Sequence, residues 1–154
     1  MAARRLQTYT SLWAMMPHDD NGETLPYDAI CEMVASAGYD GMAIDLGAGD
    51  VAQAREVRPH MERNGLKPLI VAFPKTIESL RETLIMAKDF GAPFVDVIGQ
   101  VMPLSVDGMI PVIRKWIDMS DEIGMPIQFE THRNCITNDP VSYTHLTLPT
   151  NACV

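Results

Sequence analysis

No run of apolar residues in this 154-residue chain approaches the ~20 that a membrane-crossing helix needs, so an integral helical membrane protein is set aside. Arg4 and Arg5 stand near the N-terminus, but no apolar signal core follows them. Cationic clusters are equally scarce, Arg4-Arg5 and Arg114-Lys115 being the only adjacent pairs. With a formal net charge of −8, the chain lacks the basic patch that a nucleic-acid-binding surface requires. Cysteine is sparse too: Cys31, Cys135 and Cys153 are odd in number, widely spaced, and form no CxxC or zinc pattern. A reducing compartment is the simpler reading, and a cytoplasmic protein the default. What is present is ordinary: 47% apolar and 21% charged residues suit one globular domain with a buried core.

The informative feature is a repeat. Four segments share one grammar: an amphipathic helix, a glycine, two or three residues, then a short apolar run. They centre on Gly38, Gly65, Gly91 and Gly124, which lie 27, 26 and 33 positions apart (38 to 65, 65 to 91, 91 to 124). Each glycine falls where a helix C-terminus calls for a left-handed residue, a conformation glycine adopts without a Cβ clash.

The spacing predicts helices from Pro26 to Ala37, from Asp50 as cap to Arg63, from Ile77 to Phe90, and from Ser105 to Glu122. Ile30, Met33, Val34 and Ala37 are expected inward on the first, Leu80, Leu84, Met86 and Ala87 on the third, and Ile110, Ile113, Ile117 and Met119 on the fourth. A strand over Leu6 to Trp13 precedes them all. The order β-α-β-α-β-α-β-α-β implies parallel pairing and right-handed crossovers.

Two architectures fit that order: a doubly wound sheet, or an incomplete TIM barrel with about five of its eight strands. Strand patterning separates them. Ile127 and Phe129 oppose Gln128, Glu130 and His132; Val95 and Val97 oppose Asp96 and Gln100; Met42 and Ile44 oppose Ala43 and Asp45. Strands of a doubly wound sheet are apolar on both faces. A face that turns polar toward the strands' C-terminal ends suits a barrel with an active site at its mouth, so the α/β fold read here is a partial barrel.

After Pro140 the character changes. Residues 141–154 contain no charged side chain, and no amphipathic helix follows the fifth strand. The segment resembles translated adaptor or vector read-through and is set apart as a non-native tail, leaving 1–140 as the N-terminal part of the barrel. A native strand, favoured by Tyr143, Thr144, Leu146 and Leu148, is the other reading.

The densest chemistry is Phe129-Glu130-Thr131-His132-Arg133. Glu130 and His132 are two apart on a strand and project to one face, where a carboxylate and an imidazole can bind a divalent metal or exchange protons. Two ligands alone make a poor metal site, and an exposed loop with a Glu–Arg pair explains such a motif equally well. Asp45, Gln100 and Trp13 lie at strand ends facing the same mouth, as substrate contacts or as a turn cap, a solvated loop residue and an aromatic plug respectively. His18, beside Asp19 and Asp20, reads as a solvated loop residue, and His60 as a partner of its helix C-terminus.

Gly38-Tyr39-Asp40-Gly41-Met42-Ala43-Ile44-Asp45 resembles the second strand of xylose-isomerase-like barrels, and Ile127 to Arg133 resembles their fifth; the likeness covers about residues 6 to 139. It implies a sugar or sugar-phosphate isomerase or epimerase that moves a proton beside a carbonyl through a metal-stabilised enediolate. Glu130 then matches a ligand of a divalent manganese or magnesium ion and an acid/base, His132 a catalytic position near the substrate, and Arg133 a contact to carboxylate or phosphate. The implied partner is a small-molecule sugar or sugar phosphate; a homo-oligomer is allowed, and neither nucleic acid nor membrane is expected. The family's remaining ligands come from strands six to eight, so this chain alone is expected to be inactive, and oligomeric or unstable.

A rival reading rests on Gly47-Ala48-Gly49. It follows a strand, opens a helix, and satisfies a relaxed dinucleotide or S-adenosylmethionine fingerprint. The next strand ends Val71-Ala72-Phe73-Pro74-Lys75 and supplies no acidic residue for a ribose hydroxyl.

Overall fold

Gly38, Gly65, Gly91 and Gly124 all adopt positive φ, between 66° and 86°, in the computed structural model, which describes residues 5–16, 22, 24–47, 49–101 and 105–138. The repeat read from the sequence is therefore a repeat of helix ends. Each glycine closes a helix and releases the chain into a strand: α1 (Tyr27–Ser36) to β2 (Gly41–Asp45), α2 (Val51–Arg63) to β3 (Lys67–Ala72), α3 (Ser79–Phe90) to β4 (Val95–Val97), and α4 (Val106–Ile123) to β5 (Ile127–Phe129). Helix starts follow ordinary capping chemistry. Asp50 accepts from the Gln53 N–H and Ser105 from the Gly108 N–H, while Thr76 and Ser79 exchange side-chain and backbone bonds ahead of α3.

The first strand is shorter than expected. β1 spans only Tyr9–Ser11, and Trp13 lies in a single 3-10 turn beyond it, 53% exposed. On α1, Met33 is 48% exposed while Cys31 takes a buried place beside Ile30 and Val34. On α4 the buried stripe is Met109, Val112, Trp116 and Met119, rotated by one residue from the expected isoleucines. The helix carries adjacent apolar pairs at 109–110, 112–113 and 116–117, and the indole decides between them: Trp116 Nε1 donates to the Ile77 carbonyl at 3.0 Å.

All five strands are parallel and lie in sequence order, β1-β2-β3-β4-β5. A doubly wound sheet reverses order at a switch point; this one does not, and the architecture is that of a partial TIM barrel. Leu12, Met42, Ile44, Ile70, Ala72, Val95 and Val97 are buried on the face beneath the helices. Register aligns Ser11, Ala43 and Leu69, then Asp45, Val71, Asp96 and Gln128, on the opposite, inner face. That face is less buried and more polar, as the strand alternation predicts. Cys153, the 141–154 tail, His18, Asp19 and Asp20 lie outside the described residues.

Candidate active site at the C-terminal ends of the strands

Barrel geometry brings every strand's C-terminal end to one rim, and among the described residues the loop after β5 is tied to it by several hydrogen bonds. Asn134 turns the chain at φ 57°, and the loop then folds back on its own strand. The Thr137 hydroxyl donates to the Glu130 carbonyl at 2.7 Å, the Cys135 thiol to the His132 carbonyl at 2.6 Å, and the Ile136 N–H to the Gly99 carbonyl at 2.8 Å. Cys135, Ile136 and Thr137 are all buried. The backbone of both Glu130 and His132 is thereby clamped from below, which fixes where their side chains start.

Glu130 lies one step past β5, on the same face as Gln128, and neighbours Asp96 of β4. Asp96 is half-buried, and its Oδ1 is fully buried without a hydrogen-bond partner. Burial and the adjacent Glu130 carboxyl push Asp96 up to about 6, against the smaller opposing pull of Gln128 and the Val97 N–H. Two carboxyls side by side, one of them raised toward neutral pH, are an arrangement that can hold and exchange a proton. The strand alternation places Asp96 on the polar face, but nothing in the sequence alone marks it out. Its partner across the strands shows only once β4 and β5 are in register.

His132 is half-buried, with Nδ1 2.7 Å from the Arg133 carbonyl and its ring edge-on to Phe73, centroids 6.1 Å apart at 86°. Arg133 itself is exposed. Gln100 lies past β4, half-buried, its N–H given to the Pro74 carbonyl. Asp45 ends β2 and its Oδ1 accepts the Gly47 N–H at 2.7 Å, so the carboxylate serves the turn that follows it. His60 is off the rim, taking a hydrogen bond from Arg63.

Neither a protein-family model nor a curated protein sequence matches this chain. Solved structures do. The chain is similar to a dihydrodipicolinate synthase from Rhodopseudomonas palustris (15% identity, TM-score 0.63, covering 96% of this chain and 52% of that one). It is similar to a member of the dihydrodipicolinic acid synthase family from E. coli K12 in complex with pyruvate (19%, 0.60, 84% and 46%). A 3-dehydroquinate dehydratase from Geobacillus kaustophilus also matches (19%, 0.52, 80% and 49%). The chain spans about half the length of these structures, and the likeness establishes the barrel fold.

These findings correct several expectations. The three structures are a synthase, a synthase-family protein and a dehydratase, so the assignment to xylose-isomerase-like barrels, with its isomerase or epimerase chemistry, does not stand. The divalent-metal expectation falls with it. Among the described residues no three His, Cys, Asp or Glu side chains gather to hold an ion; Glu130 has Asp96 beside it, while His132 turns Nδ1 to a backbone carbonyl. The dinucleotide or S-adenosylmethionine alternative fails on the same rim. The Gly47 and Gly49 N–H groups are consumed by Asp45, through Oδ1 and the carbonyl respectively. Gly47 is small because a Cβ there would lie 2.6 Å from the Phe73 ring, a packing requirement within the protein. No described helix is long and apolar enough to cross a membrane.

Proposed function

We propose that residues 1–140 form the N-terminal part of a (β/α)8-barrel enzyme that transfers a proton on a small, carboxylate-bearing molecule, with Asp96 and Glu130 as its acid–base pair. The observation that carries this reading is their juxtaposition on the inner face, with one Asp96 oxygen buried and unpartnered. An orphaned buried oxygen costs about 1–3 kcal/mol, a cost that a purely structural sheet position has no reason to retain. A carboxyl that titrates near 6 gives and takes protons at neutral pH without a metal to assist it.

The substrate class rests on two supports. The structures that share this fold are named for chemistry on dihydrodipicolinate and dehydroquinate, both carboxylates, and one holds pyruvate. On this chain, the exposed Arg133 stands three residues past Glu130 and offers the planar fork that pairs with a substrate carboxylate. His132 stands between them. Gln100, Trp13 and Asp45 border the same rim, where Gln100 and Trp13 would contact the substrate's polar and flat faces, and Asp45 shapes the turn.

Carbon-13 titration of the side-chain carboxyls in the 154-residue chain tests the pair. Asp96 is expected to titrate near 6 and to move down when Glu130 is replaced by Gln. Titration near the ordinary value of 3.8 would sink the proposal. Adding pyruvate while following the same signals tests the substrate class separately.

A further inference from the structure

Just past the C-terminal ends of β3 and β5, the Phe73 and His132 rings meet. The His132 Nδ1 lies 2.7 Å from the Arg133 carbonyl oxygen. A carbonyl only accepts hydrogen bonds, so the nitrogen facing it must carry the proton. In the neutral ring, Nε2 is then the unprotonated nitrogen, and it makes no hydrogen bond among the described residues. Phe73 meets the ring edge-on at 6.1 Å. Phe73 is itself held: its ring packs on Gly47 so tightly that a Cβ there would come within 2.6 Å, and the Gly47 turn is pinned by Asp45. The opposite side of the arrangement is pinned by the Cys135 thiol on the His132 carbonyl.

We infer that Phe73 is a positioning residue that holds His132 as its Nδ1–H tautomer and so presents Nε2 as a second base on the inner face, beside Asp96 and Glu130. This rests on the acid–base reading above. A proton leaving the substrate passes to Nε2, its electron pair staying on the substrate, and the resulting imidazolium keeps its Nδ1–H on the Arg133 carbonyl. The neutral Nδ1–H tautomer is the costlier one in free imidazole side chains, so it needs both the carbonyl and a ring that blocks rotation about χ2. A pair of aromatic rings that merely plugs the mouth makes no demand on the tautomer.

The test is long-range proton–nitrogen correlation on the nitrogen-15-labelled 154-residue chain above the histidine titration range. The wild-type His132 is expected to show a protonated Nδ1 and a bare Nε2. Phe73→Ala should shift it to the ordinary Nε2–H form or to an averaged pattern, and Phe73→Tyr should restore the wild-type pattern. An Nε2–H or averaged pattern already in the wild type would overturn the inference, whether or not the Ala variant folds. A wild-type pattern that persists in a folded Phe73→Ala would remove Phe73 from the role. Neither result depends on how Asp96 titrates, so failure here is distinguishable from failure of the carboxyl pair.

Discussion

Gly99 and Trp116 approach so closely that a Cβ built on Gly99 would lie 2.7 Å from the indole, and 2.8 Å from Ile136 of the loop after β5. The indole cannot retreat, because its Nε1 is bonded to the Ile77 carbonyl and its ring stacks near Phe129, centroids 6.1 Å apart. Gly99→Ala should therefore overpack the junction of β4, α4 and the site loop. The expected loss is about 1–3 kcal/mol by urea unfolding. A neutral Gly99→Ala would mean that the loop moves freely away from β4, and the clamp on Glu130 and His132 would lose its anchor.

Gly124 closes α4 at φ 68°, ψ 42°. An alanine there must hold a left-handed backbone, and the expected cost is about 1 kcal/mol, with Asn costing less because it tolerates that region. Thermal or urea unfolding of the two variants checks the order. Equal costs would show that the C-terminus of α4 re-forms around a different cap.

The four glycines were legible because the need for positive φ is a local property, set by a single residue and its helix. Capping by Asp50 was legible for the same reason, since the bond to Gln53 spans only three residues. So was the one-sided polarity of the strands, because alternation is a two-residue rule. What the sequence hid is pairwise and distant. Asp96 and Glu130 are neighbours only because β4 and β5 align at Asp96 and Gln128, and Phe73 meets His132 across that same sheet. The buried face of α4 was hidden for a related reason: adjacent apolar pairs at three consecutive turns leave two stripes equally hydrophobic, and a single bond from Trp116 to another loop chooses one. The short phrases that resemble another barrel family describe a strand ending in Asp45 and one ending near Glu130. Any barrel with a polar mouth produces such endings, so they report the fold more than the chemistry.

Thr137 is buried and gives its hydroxyl to the Glu130 carbonyl at 2.7 Å, with the Cys135 sulfur 3.2 Å away on its other side. Thr137→Val keeps the shape and deletes the donor, leaving that carbonyl without this partner. The expected loss is about 1–2 kcal/mol, and Thr137→Ser should recover most of it. The Glu130 and Asp96 carboxyl signals should shift in the Val variant and return in the Ser variant. Unmoved signals would separate the loop's stability from the placement of the acid–base pair.

Asp96 couples the proposed site to stability through pH. Its carboxyl is raised from 3.8 to about 6 in the folded chain, so the folded state holds the proton more tightly than the unfolded one. Stability conferred by the protonated form is then fully present below the unfolded value and is lost as pH rises toward 6. Above 6 the whole penalty of a buried, ionised carboxyl beside Glu130 remains, on the order of 1 kcal/mol once solvent screening of a half-buried group is allowed for. Asp96→Asn has no proton to lose. It should be more stable than wild type at about pH 7.5 and nearly equal to it at about pH 4, where the wild-type carboxyl is mostly protonated in the folded state. Urea midpoints at the two pH values measure the difference directly. A variant that is destabilised at both would show that Asp96 acts as a hydrogen-bonded structural carboxylate. A gain confined to the higher pH is the signature of a group kept ionisable at a cost to the fold, as a proton-transferring residue requires.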